Sequence, residues 1–211
     1  MRSDLLEIKP ISYPKSLLDN WIQGDYSFLT SSKASRYIKD ILISKAMIRP
    51  SRRFFGEAYI ASKLGNIMVD GWYNSFKWLT ADKWLSGKNL EPRFEKPFYR
   101  ALHDRIGTVI IQKLQGSAKE CYSKYKDSLQ HKRPVAPDLW VVDKNGEFLF
   151  IESKMEGDHI RPHQLVGLAL IKKFIRSSVS IWWLYQADKA PPSREVVTNH
   201  IETFSLIYRS V

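Results

Sequence analysis

The sequence predicts an α/β chain: a mainly helical, aromatic-rich front of ninety residues, followed by alternating strands and helices. Three observations lead there. Leu139-Trp140-Val141-Val142 and Phe148-Leu149-Phe150-Ile151 are short β-prone runs joined by Lys144-Asn145-Gly146-Glu147, and an Asn-Gly turn between such runs signals a hairpin. Pro162 suits the first turn of a helix on which Gln164, Leu168, Ile171 and Ile175 make one stripe. Ser180-Ile181-Trp182-Trp183-Leu184-Tyr185 then reads as a further buried strand.

Taken in order, residues 1–30 are mixed, with Pro10, Pro14 and Gly24 interrupting any regular element. Thr30-Ser31-Ser32 supply N-caps for a helix in which Tyr37, Ile38, Ile41, Leu42 and Ile48 keep helical spacing as far as Pro50. Ser51 can cap a second helix, RRFFGEAYIASKL, ending near Gly65. A third is expected from Asn74 to Leu85, carrying Phe76, Trp78, Leu79 and Trp84. The spacing of Phe98, Leu102, Ile106, Val109 and Ile110 predicts one helix from Phe94 to about Leu114, despite Gly107. Gly116 to Pro134 is polar and basic. Pro191-Pro192-Ser193 begins a short terminal helix, and Phe204–Tyr208 is a candidate strand. The expected organisation is a helical region over 1–90, a core over 91–190, and a C-terminal piece over 191–211 packed on that core.

Lys and Arg number 33 against 22 Asp and Glu, a formal net charge of +11 in 211 residues. Such an excess suits a polyanionic partner, most simply nucleic acid, although it also serves solubility. One cysteine, Cys121, excludes a disulfide framework and a four-cysteine metal site. The N-terminal residues have no apolar run of signal-peptide length, and no stretch reaches a membrane span, so an intracellular protein without membrane contact is expected. Nucleotide-binding GxxxxGK[ST] and GxGxxG patterns and the HExxH zinc pattern are absent.

Chemistry concentrates in PDLWVVDKNGEFLFIESKMEGDHIRPHQ, residues 137–164. Side chains alternate along a strand, which places Phe148, Phe150, Glu152 and Lys154 on one face and Leu149, Ile151 and Ser153 on the other. A hairpin centred near Asn145-Gly146 brings Asp138 opposite the region of Glu152 and Lys154. Two carboxylates and one ammonium then converge beside an apolar sheet, a set of hard oxygen ligands suited to Mg²⁺. Gln164, the polar start of an apolar stripe, can orient a carboxylate or a water, or simply cap its helix. Upstream, Lys124, Lys126, Lys132 and Arg133 suit a track for a nucleic-acid backbone, or a solvated face; Arg161 and His163 read as phosphate contacts at the mouth of the site. In the front part, Arg49, Arg52, Arg53, Lys77, Lys83 and Lys88 can reach phosphates, and aromatic rings can stack on unpaired bases.

Pro137-Asp138 followed by Glu152-Ser153-Lys154, fourteen positions on from Asp138 to Glu152, resembles the PD-(D/E)xK motif of restriction-endonuclease-like nucleases. Asp158, Arg161-Pro162 and Gln164 add a likeness to the VRR-NUC-type branch, in which a helix beginning with glutamine follows the ExK strand. The resemblance covers residues 91–187 and implies an αβββαβ core, a mixed central sheet flanked by helices. It further implies metal-dependent hydrolysis of DNA phosphodiesters, with Mg²⁺ and Mn²⁺ as its substitute. Asp138 and Glu152 would be metal ligands, Lys154 the residue beside the attacking water, and Gln164 part of the surrounding shell. The family's first core helix supplies a further carboxylate, for which Glu95 is placed and Glu57 is the rival. The strand expected before the PD strand has two weak candidates, Ile110-Ile111 and Glu120 to Tyr125. A homodimer and a targeting protein partner are both compatible with the resemblance. So is a non-catalytic nucleic-acid-binding module that keeps the fold.

Overall fold

The hairpin forms. In the computed structural model, which describes residues 6–74, 77–81 and 86–211, β3 (Leu139–Asp143) runs antiparallel to β4 (Phe148–Met155), with Leu139 opposite Ile151 and Trp140 opposite Phe150. Asp143 accepts from the main-chain N–H groups of Asn145 and Glu147, and Gly146 takes a positive φ of 80°. These contacts close the turn and fix the register.

Helix α7 (Pro162–Ile175) leaves β4 and returns the chain to β5 (Ser178–Gln186), which pairs parallel to β4. Pro162 occupies the first turn, as expected, and Lys172 and Lys173 lie in the last. Among the described residues the sheet has five strands, ordered β1-β5-β4-β3-β2, with β1 (Glu7–Tyr13) and β2 (Met68–Tyr73) at its edges. Both outer strands come from the first ninety residues. β1 is parallel to β5, and β2 is antiparallel to β3. The boundary expected near residue 90 therefore does not separate a helical region from the sheet.

That difference has a local cause. Pro10 sits in β1 and Asp70-Gly71 in β2, residue types depleted in strands, and each strand lies at a sheet edge, where a missing donor is tolerated. The two candidates for the strand before Asp138, Ile110-Ile111 and Glu120–Tyr125, are helical or at a helix end instead. The single helix expected over 94–114 is two: α5 (Glu95–Arg105) and α6 (Thr108–Lys124), broken at Gly107, whose φ of 93° leaves the helical region. At the C-terminus the expected strand Phe204–Tyr208 lies within α8 (Arg194–Ser210), capped by the Ser193 hydroxyl. Val197, Ile201, Phe204 and Tyr208 recur at helical spacing there and pack on the core, which decides for a helix.

The front of the chain is otherwise helical: α3 (Arg36–Ile48) and α4 (Phe55–Leu64) form where helices were expected, while α1 (Lys15–Ile22) and α2 (Ser27–Thr30) lie in the stretch 1–30 where no regular element was expected. Ser35, not Ser31 or Ser32, caps α3. The helix expected over 74–85 falls partly outside the described residues, which include Trp78 and Leu79 but not Phe76, Lys83 or Trp84. No helix among the described residues is long and apolar enough to cross a membrane.

Each face of the sheet carries its own core. α1 to α4 cover Leu139, Val141, Ile151 and Leu184; α5 to α8 cover Trp140, Phe150, Val179 and Ile181. The period-2 alternation read from the sequence is thus the division between two cores. Trp140 stacks between Trp72 and Phe150, at centroid distances of 4.4 and 5.8 Å, so the hairpin is clamped across three strands.

A candidate active site at the end of the hairpin

Beyond the last ladder pair of β3 and β4, Asp138 and Glu152 come opposite one another. The Asp138 Oδ2 accepts the main-chain N–H of Ser153 at 2.9 Å. Two residues along β4 from Glu152, on the same face, Lys154 donates through Nζ to Glu152 Oε1 at 2.8 Å. Both side chains are nearly sequestered, Glu152 at 4% and Lys154 at 7% exposure. A buried ion pair of this kind is held by further hydrogen bonds or not at all.

The further bond comes from α7. The Gln164 amide donates to the same Glu152 Oε1, while its own Oε1 accepts the main-chain N–H of Arg161 at 3.0 Å. Gln164 therefore both caps its helix and orients a carboxylate, so the two sequence readings of this residue coexist. α7 is held close by Gly167: a Cβ there would stand 1.7 Å from the Val135 carbonyl oxygen. Val135 N–H donates to the His163 carbonyl, and the Asn74 amide donates to the Pro137 carbonyl at 3.1 Å. The approach to Asp138 is thus laced between β2 and α7.

The third carboxylate is Glu57, on α4. Gly56 lies against β4, where a Cβ would meet the Ser153 Oγ at 2.5 Å, and this close approach brings Glu57 into the field of Asp138, Glu152 and Lys154. Glu95 is elsewhere. It occupies the first turn of α5, accepts the main-chain N–H of Glu91 at 2.9 Å, and lies in the field of the Tyr37 hydroxyl. Of the two rival acids, Glu57 is the one in the electrostatic field of Asp138 and Glu152, since α4 packs against β4. Sequence shows two helices each bearing an acid; only Gly56 hints at which one touches the strand.

The electrostatics follow from crowding acids in a dry place. Burial pushes Asp138 well above the carboxylate range, Glu152 and Glu57 push it further, and the Ser153 N–H and Lys154 pull back. Burial likewise raises Glu57 to about 7, with Glu152 adding to the rise. Glu152 is raised by burial and relieved by Lys154. Tyr73, at the end of β2, is pushed up by burial and then by the same three carboxylates, which places its hydroxyl on their wall; nothing in the sequence singled it out. These groups share too much negative charge for one lysine, the situation a cation relieves. Oxygen donors and an adjoining cleft of about 240 Å³, lined by Tyr73, Asn74, Lys77, Asp138, Glu152 and Gln164, fit Mg²⁺ bound through one or two carboxylates. Among the described residues no group of three or more His, Cys, Asp or Glu is gathered closely enough to hold a metal ion.

Of the expected phosphate contacts, Lys124, Lys126, Lys132, Arg133 and Arg161 are exposed. Arg133 lies over the Tyr122 ring at 5.7 Å and Lys124 over Tyr125 at 5.1 Å. His163 is different. It is 9% exposed, and burial first, then Lys132, Arg161 and Lys154, pull its pKa down to about 4. Its imidazole is thus enclosed where the other five side chains are exposed. Of the expected front-part arginines, Arg52 and Arg53 approach the site: with Phe54 they line a second cleft beside Glu57, Ser153, Met155 and Asp158.

Set against known proteins, the chain matches no family model, no curated protein sequence and no solved structure.

Proposed function

We propose that the chain is a Mg²⁺-dependent nuclease acting on DNA, with a PD-(D/E)xK site formed by Asp138, Glu152 and Lys154. The observation that carries the reading is the meeting of the buried Glu152 and the half-buried Asp138 with one lysine and one glutamine at the mouth of a hairpin, beside exposed cations. The order of elements supports it. α4, β2, β3, β4, α7 and β5 follow the αβββαβ succession of restriction-endonuclease-like cores, with α5 and α6 inserted between β2 and β3.

Asp138 and Glu152 would hold the metal, with Glu57 beside them. Bound there, Mg²⁺ supplies neutralisation of the charge that develops on the phosphate and lowers the pKa of water in its shell. The chain's own groups do the rest. Gln164 and Lys154 hold the Glu152 carboxylate in one rotamer, with Oε1 occupied by both donors. The Ser153 N–H fixes Asp138. Lys154, next to the scissile phosphate, orients the attacking water and balances charge on the non-bridging oxygens as the P–O bond breaks. Lys77, Lys132 and Arg161 hold neighbouring phosphates.

The test is incubation of purified protein with supercoiled plasmid and with labelled linear and single-stranded DNA. Each is run with Mg²⁺, Mn²⁺ or chelator, beside Lys154→Ala. Metal-dependent cleavage that disappears in the variant supports the assignment. Cleavage undiminished in Lys154→Ala removes it. Salt-sensitive binding without cleavage of any substrate favours a non-catalytic binding module or a nuclease lacking a partner protein.

A further inference from the structure

From the cleft on the α4 side of the site we infer that Phe54 is a stacking platform for an unpaired nucleobase, with Arg53 contacting the adjoining phosphate. The site therefore takes a strand that is single or locally unpaired beside the scissile bond. The inference rests on the nucleic-acid reading above and names the form of its substrate.

Phe54 has φ 64° and ψ −3°, the left-handed region that an aromatic residue rarely adopts. Its surroundings hold it there. The carbonyl of Arg53 accepts the Trp21 indole N–H at 3.0 Å, and Trp21 is fully enclosed among Tyr26, Phe28 and Phe55. Phe55, next in the chain, is also fully buried and begins α4. With the backbone anchored on both sides, Phe54 is held half-buried at the margin of the front core, where it also forms part of the cleft wall. A strained aromatic retained at a site is an observation from which function can be argued.

Its neighbours give the ligand class. The cleft is about 330 Å³ and shares Glu57 and Ser153 with the carboxylate cluster, which puts whatever enters it beside the reacting groups. That volume admits a single nucleotide and not a closed duplex. Arg52 is held by Asp158 at 3.7 Å and by the Glu156 carbonyl, whereas Arg53 makes no ion pair among the described residues. Lys45 stands 5.9 Å from the Phe54 ring centroid and Tyr73 meets it edge-on at 6.1 Å. Lys45 lies over one side of the ring, and an aromatic ring on a cleft wall with cations close by can stack a base while they retain the backbone, tolerating any sequence because every base has a π-face.

The experiment measures binding by fluorescence anisotropy in chelator, so that cleavage plays no part. A labelled single strand and the blunt duplex of the same sequence are compared on wild type, Phe54→Gly and Phe54→Tyr. Glycine accepts the backbone angle and removes the ring; tyrosine keeps the ring. The expected result is preference of the wild type for the single strand, roughly five- to a hundredfold weaker single-strand binding in Phe54→Gly, and retention in Phe54→Tyr. Single-strand affinity unchanged in Phe54→Gly overturns the inference. A second readout needs no variant: a strand carrying a fluorescent adenine analogue is quenched when that base stacks, and no quenching on binding overturns the inference equally. Cleavage that depends on Lys154 with Phe54 indifferent sinks only this inference. A wild type that binds neither oligonucleotide and cuts nothing sinks the nuclease reading as well.

Discussion

The carboxylate of Asp138 and the main-chain N–H of Ser153 are joined at 2.9 Å, so one strand's acid is pinned by the backbone between the other strand's acid and base. Asp138→Asn keeps an acceptor for that N–H and removes only charge. Cleavage should fall at least about a hundredfold while the thermal midpoint of the metal-free protein does not fall, the carboxyl being raised by burial and its acidic neighbours. Activity assays on the folded variant, checked by circular dichroism, decide the matter; near-normal turnover would exclude Asp138 from the chemistry.

Glu57 and Glu95 separate by the same kind of comparison. Glu57 is raised to about 7 from 4.5, so the folded protein is destabilised by this charge at neutral pH and regains stability as pH falls from 7 toward 4.5. Glu57→Gln should therefore stabilise the metal-free protein at pH 7 by about 1–3 kcal/mol, lose that advantage near pH 4, and lower cleavage. Glu95→Gln should leave cleavage unaltered. Denaturant titrations in chelator at the two pH values test the first half. An Glu95→Gln variant as inactive as Glu57→Gln would restore Glu95 to the site.

His163 predicts the opposite slope. Its folded pKa of about 4 lies below the ordinary 6.5, so its contribution is present above 6.5 and lost as pH falls toward 4, by as much as about 3 kcal/mol. His163→Leu, which cannot take up a proton, should flatten the acid limb of a stability–pH curve. An unchanged limb would mean that His163 protonates freely in the folded state.

Nucleic-acid binding should be steeply salt-dependent. Replacing exposed Lys132 or Arg133 by alanine should weaken binding to all sequences alike and reduce the slope of log affinity against log salt by about 0.9 each on duplex DNA. Slopes equal to wild type would show that this basic stretch is a solvated face.

How much was legible depends on where each signal resides. Alternation in Phe148–Lys154 and the Asn145-Gly146 turn are local, and they specify the hairpin, its two faces and the meeting of Asp138 with Glu152. The helix after Pro162 is local too. β1 and β2 were missed because an edge strand needs little intrinsic preference when its partner supplies the ladder, as Glu7 to Tyr13 show in pairing with Ser180 to Gln186. Gly107 divides a helical stripe through its backbone angle, which apolar periodicity does not record. Which helix touches β4 is a packing fact, visible only as the absence of a side chain at Gly56. Tyr73 joins the site through the same long-range assembly.

Gly167 carries no chemistry, yet its hydrogen leaves room for the Val135 carbonyl where any side chain would drive α7 outward and take Gln164 with it. In a saturation-mutagenesis screen scored on cleavage, position 167 would tolerate as little as Asp138 or Lys154. A geneticist reading only the phenotypes would list it among the catalytic residues, and would be mapping the hinge on which the glutamine is hung.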